Sequence, residues 1–279
     1  MKRSLHALSC FNHIEHISEI ASGLSQQCLK INADNKVYFA KTISGDTETQ
    51  IALSTAKQRL SPAVFYHDRQ WLITDFIEGG NLAQSAIGPA AKINHAMKLM
   101  AQCHQFNIKP AELTPSAIID DLITKTRYST QQKKELYRFA DSILPPLSYP
   151  QKLVCCHGDL NFSNVLIDQN ENTWLVDYEC ACTAPTEFDL AMFIAVNNIT
   201  ETKISMITEQ YEHQCPSTKI NRKLLYHYLA FSYFINSLWY SCAYQSRSDI
   251  KLLHLHQGQW QKFMSLMGND DASLPTLKQ

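Results

Sequence analysis

The sequence predicts an α+β chain in which a small antiparallel, strand-rich lobe is followed by a larger, mainly helical one. Three observations predict it. Short alternating segments separated by turn residues run from residue 17 to residue 77; beyond Leu82 the apolar periodicity turns helical; and residues 153–179 break that periodicity with a strand, a loop and a hairpin.

In the first region, residues 17–20 and 27–31 read as strands, Asn32-Ala33-Asp34-Asn35 as a polar turn, and residues 36–41 as the next strand. Thr47-x-x-Gln50 has the form of a capping box, and Leu53, Ala56 and Leu60 follow at helical spacing, so a helix of about three turns should end before Pro62. Residues 63–66 and 71–77 read as two more strands, after which Glu78-Gly79-Gly80-Asn81 interrupts the pattern. In the second region the helical segments include residues 92–106, 131–144, 187–197, 224–244 and 249–267. The expected division is residues 1–80 and residues 81–279.

Composition excludes several classes. With 279 residues, 45% hydrophobic and 18% charged, the chain can bury a core of its own and is too apolar for a disordered one. Its formal charge is -1, from 25 basic and 26 acidic side chains, which leaves no cationic excess for a nucleic-acid backbone. The nine cysteines have no regular spacing, which fits reduced thiols and a cytoplasmic location. Adjacent Cys155 and Cys156 point to opposite faces of a strand and read as core residues rather than metal ligands. Residues 1–6 do not read as a secretory signal, and residues 226–244 contain His227, Ser232, Asn236 and Ser237, which favours a buried helix over a membrane span.

The chemistry lies in residues 153–179. If residues 165–167 pair antiparallel with residues 174–176, Asn164 enters the hairpin at the end from which Asp177 leaves, within a cross-strand spacing of about 5 Å. An amide oxygen and a carboxylate so placed are hard ligands for Mg²⁺. Asp159, five positions before Asn164, can accept the proton of an attacking hydroxyl.

The pattern His157-x-Asp159-x-x-x-x-Asn164, followed by Leu175-Val176-Asp177-Tyr178-Glu179, resembles the aminoglycoside phosphotransferase and choline kinase superfamily, which shares the protein-kinase fold. Ser22-Gly23-Leu24-Ser25, residues 175–181 and Leu238-Trp239 look most like bacterial thiamine kinases, then lipopolysaccharide-type choline kinases. The resemblance implies a two-lobed kinase-like fold, ATP and Mg²⁺ as cofactors, and a small cationic alcohol such as thiamine or choline as acceptor. It implies Asp159 as the catalytic Asp, His157 as a brace for its loop, Asn164 and Asp177 as Mg²⁺ ligands, and Lys41 at the ATP phosphates. Ser22, Gly23 and Ser25 stand where the phosphate-covering loop belongs, although one glycine replaces the protein kinases' three.

Some residues keep two readings. Glu48 is either the partner of Lys41 or a carboxylate at a helix N-terminus. Asp189 either ties the catalytic loop to a helix or, with Thr186, caps that helix. Glu179, Trp239 and Tyr240 are candidates for the acceptor pocket, while aromatics along a helix also pack in cores. The competing functions are phosphorylation of an aminoglycoside or sugar, and a non-catalytic nucleotide-binding module.

Overall fold

A computed structural model describes residues 5–20, 26–43, 45–148 and 152–268. In chain order its first elements are β1 (Ile14–Glu19), β2 (Cys28–Ala33), β3 (Lys36–Thr42), α1 (Thr47–Lys57), β4 (Val64–His67), β5 (Trp71–Asp75), β6 (Gly79–Asn81) and α2 (Pro89–Cys103). Then come α3 (Pro115–Lys125), α4 (Thr130–Ile143), β7 (Leu153–Cys156), β8 (Val165–Asp168), β9 (Thr173–Leu175) and β10 (Cys182–Pro185). The chain ends with α5 (Thr186–Val196), α6 (Ile204–Gln214), α7 (Arg222–Arg247) and α8 (Ile250–Leu266). These elements form two compact units, one of Met1–Pro110 with Asn161–Ala181, the other of Ala111–Leu160 with Cys182–Gln279.

The first unit is built on a five-stranded antiparallel sheet of order β1-β2-β3-β5-β4. Asp34 and Asn35, with φ of 51° and 61°, close β2 onto β3 in a two-residue turn, a conformation that short Asx side chains tolerate. The register pairs Leu29 with Ala40 and Ile31 with Tyr38, and these side chains join Leu5, Leu8, Ala33, Trp71 and Ile73 in one apolar layer. Because strand side chains alternate, Lys41 faces away from that layer.

Two details differ from the sequence reading. Helix α1 starts after Asp46, with no side-chain cap, so Thr47-x-x-Gln50 does not act as a capping box. The segment around Gly79 is not an interruption but β6, which pairs with β8 in a second sheet of order β6-β8-β9. Gly79 has a φ of 151°, and a Cβ there would lie 2.1 Å from the Ile167 carbonyl oxygen, so only glycine lets the strands approach.

In the second unit β7 pairs antiparallel with β10, and α7 packs on α3, α5 and α8. Helices α3 and α6 fall outside the periodic segments named above. Phe234 of α7 meets Phe263 of α8 at 5.0 Å, and half of the long α7 is buried in the core, as its polar insertions predicted. Among the described residues no helix is long and apolar enough to cross a membrane.

Candidate active site

Two clusters carry the sequence-predicted residues, one in each unit. In the first unit β3 presents Lys41 and the first turn of α1 presents Glu48, exposed by only 6% and 7%. The Lys41 ammonium donates to Glu48 Oε1 at 2.8 Å and also to Asp177 Oδ1. Of the two readings of Glu48, the geometry therefore carries the pairing. Burial opposes the charge on Lys41, but the Asp177 and Glu48 carboxylates outweigh it and raise its pKa. Burial pushes the Glu48 carboxyl up, and Lys41 offsets this only in part.

The hairpin register does not set Asn164 opposite Asp177, the cross-strand pair expected. Val165 pairs with Leu175, and the Val176 amide donates to the Asn164 carbonyl at 3.0 Å, so the register opposes Asn164 to Val176. Asp177 lies one residue further on, with a φ of 72°. This left-handed backbone, uncommon outside glycine though tolerated by Asp, turns the chain as it leaves the hairpin. Asn164 is placed by Asn161, whose Oδ1 accepts from the Ser163 and Asn164 amides at 2.9 and 3.1 Å. Tyr178, between Asp177 and Glu179, points the other way and is buried, its hydroxyl 2.7 Å from Ser61 Oγ.

Glu179 is exposed and accepts a 2.6 Å hydrogen bond from Gln26 Nε2. Its charge and that of Asp177 both act on Glu48, so three carboxylates share the neighbourhood of the Lys41 ammonium. A surplus of negative charge with hard carboxylate oxygens is the chemistry a divalent cation such as Mg²⁺ takes. Ser22, Gly23 and Ser25 lie outside the described residues.

In the second unit β7 leads into the loop of His157, Gly158, Asp159 and Leu160. Asp189, fully buried in the first turn of α5, accepts from the His157 amide at 3.0 Å and from the Gly158 amide at 2.9 Å. Helix α5 begins after Pro185 with no side-chain cap, so Asp189 ties the loop rather than capping the helix. Gly158 has a φ of 78°, and the buried His157 accepts from the Asp159 amide through Nδ1 at 3.3 Å. On the other side the Leu160 carbonyl accepts from Asn197 Nδ2 at 3.0 Å. Both flanks of Asp159 are thus pinned while its own side chain is half-buried.

Tyr240 of α7 is half-buried, and its hydroxyl pKa is raised by burial first and by the Asp159 carboxylate second. Trp239 stands edge-on to Tyr240 at 5.3 Å and is 41% exposed, so neither ring is simply core. Cys155 and Cys156 are buried, as their place on a strand predicted. Gln26, Asn161 and Ser61 escaped the sequence reading; each bonds across turns or between elements, and only the Asn161-x-Ser163 turn had a local signal.

Comparison with known proteins gives the family and the fold. Residues 29–267 match the choline/ethanolamine kinase family. The choline kinase LicA from Streptococcus pneumoniae superposes with a TM-score of 0.76 at 15% identity, over 91% of this chain and 95% of that one. A choline/ethanolamine kinase family protein from Mesorhizobium loti superposes with a TM-score of 0.72 at 18% identity, over 94% and 92%. A spectinomycin phosphotransferase, solved with ADP and spectinomycin, follows at 0.57 and 16%, over 92% and 89%. A curated but uncharacterised relative from Metamycoplasma hominis is 24% identical over 78 residues, 28% of this chain and only 16% of that protein's length.

Fold and family define a small-molecule phosphotransferase with a protein-kinase-like α+β fold and an alcohol group as acceptor. This chain belongs to the choline/ethanolamine kinase family.

Proposed function

We propose that the chain transfers the γ-phosphate of ATP to the hydroxyl of a small, positively charged amino alcohol, with choline and ethanolamine ahead of thiamine. The family match supports the first two acceptors, whereas nothing in it singles out thiamine. The observation that carries the reading is Asp159, held between pinned neighbours, its charge acting on the Tyr240 hydroxyl. A carboxylate that can take the hydroxyl proton and an aromatic face that can hold a cation are what such an acceptor needs.

Lys41 would contact the nucleotide phosphates, its charge kept by Glu48 and Asp177. Asn164 and Asp177, with Glu179 beside them, would hold Mg²⁺, which when bound neutralises charge on the phosphates. His157 supports the loop through the Asp159 amide, and Asp159 orients the acceptor oxygen and receives its proton. That oxygen attacks the γ-phosphorus as the bond to the ADP oxygen breaks.

The test is direct. Purified protein is incubated with ATP or GTP, Mg²⁺ and, separately, choline, ethanolamine, thiamine and kanamycin. Phosphorylated choline or ethanolamine is expected. Turnover of kanamycin alone, or of nothing in the panel, would reject this acceptor class.

A further inference from the structure

Gln26 stands beside the acidic cluster without a role in the reading above. Continuing the β2–β3 register, in which Cys28 pairs with Lys41 and the Thr42 amide donates to the Gln27 carbonyl, places Gln26 on the same sheet face as Lys41. The two side chains meet two carboxylates that are two positions apart in sequence, Asp177 and Glu179. Lys41 donates to Asp177, and Gln26 donates to Glu179 at 2.6 Å across 153 positions of sequence. The buried Tyr178 between them anchors the segment through Ser61.

The amide of Gln26 can face Glu179 only through its nitrogen, since its oxygen would repel a carboxylate. Its Oε1 is buried and has no hydrogen-bond partner among the described residues. An unpaired buried acceptor is a cost that local packing does not explain. The bond to Glu179 explains the orientation.

We propose that Gln26 is a positioning residue that holds the Glu179 carboxylate beside Asp177 for the metal–nucleotide complex. The proposal rests on the kinase reading above and deepens it. Glu179 is exposed, and a neutral donor at 2.6 Å orders its carboxylate without cancelling the charge a cation needs. A lysine in that place would compete with the cation; glutamine does not.

A double-mutant cycle tests this with Mn²⁺ as the probe. Binding of Mn²⁺ in the presence of a non-hydrolysable ATP analogue is followed by electron paramagnetic resonance for wild type, Gln26→Leu, Glu179→Ala and the double variant. Gln26→Leu should weaken Mn²⁺ binding about tenfold in the wild-type background and should add nothing once Glu179 is gone. If Gln26→Leu does not fold, Gln26→Ala reads the same cycle. Unchanged Mn²⁺ affinity, an equal loss in both backgrounds, or an effect confined to the acceptor KM would overturn the proposal. The acceptor panel separates the two claims. Choline turnover with a flat cycle sinks only the role of Gln26, and a coupled cycle without turnover of any acceptor sinks only the proposed function. Failure of wild type to bind Mn²⁺ and nucleotide sinks both.

Discussion

The two clusters hold their carboxylates in place by opposite means. In the first unit the acids are held by a cation, Lys41, set between Glu48 and Asp177. In the second, the charge of Asp189 is met by the backbone amides of His157 and Gly158. A charge pair can be exchanged when another cation arrives, which suits a seat for metal and phosphate. A carboxylate bonded to two backbone amides fixes a loop, which suits a loop whose geometry must not change during transfer.

The largest expected effect breaks the functional asymmetry. Asp159→Asn should lower phosphoryl transfer about 10³-fold while melting temperature and nucleotide binding stay near wild type. Steady-state kinetics with thermal unfolding checks this, and turnover within tenfold of wild type would remove Asp159 from its role.

Next is the cation. Lys41→Met leaves the buried Glu48 without its partner, for a cost of about 3 to 5 kcal/mol. The sign of its pH dependence is fixed by Glu48, whose folded pKa is already raised by burial and loses the opposing influence of Lys41. The folded variant binds a proton more tightly than the unfolded chain, so its deficit should be largest above neutrality and shrink toward pH 5. Denaturant unfolding at pH 8 and pH 5 reads it; a pH-independent deficit would show that Glu48 carries no buried charge.

Asp189→Asn sharpens the contrast. Its amide can accept from only one of the two backbone N–H groups, so the loss should be about 2 to 3 kcal/mol. Transfer should fall with it as Asp159 loses its support. Denaturant unfolding with steady-state kinetics checks both, and wild-type stability and turnover in Asp189→Asn would abolish the distinction.

The smallest effect concerns the helical core. His256, buried on α8, lies 2.8 Å from Ser237 Oγ and 3.3 Å from the Tyr128 hydroxyl, and burial lowers its pKa below the usual 6.5. The unfolded chain then takes up a proton first, so stability is complete above pH 6.5 and is lost as pH falls below it. The fall in melting temperature between pH 7.5 and 5.5 should be smaller in His256→Gln. An unchanged difference would mean that His256 is not the group responsible.

Much of the fold was legible because its signals are local. Alternation marked the strands that carry Lys41, polar insertions marked α7 as core rather than membrane span, and the spacing of His157, Asp159 and Asn164 marked the loop. The signals that failed were those that tertiary pairing overrides. Gly79 looks like a breaker until β8 approaches too closely for any other residue, and Thr47 looks like a cap until the helix starts one residue earlier.

The sequence by itself determined the residue types, their order and the hairpin on which Asp177 depends. Only the tertiary structure decided which groups share a charge or a hydrogen bond. Glu48 with Lys41, Asp189 with the His157 amide, Gln26 with Glu179 and Tyr240 with Asp159 are separated by 7, 32, 153 and 81 positions. The physical reason is range: periodicity and turn chemistry act over a few residues, whereas burial and Coulomb interaction depend on distance through space, which the chain sets only once it is folded.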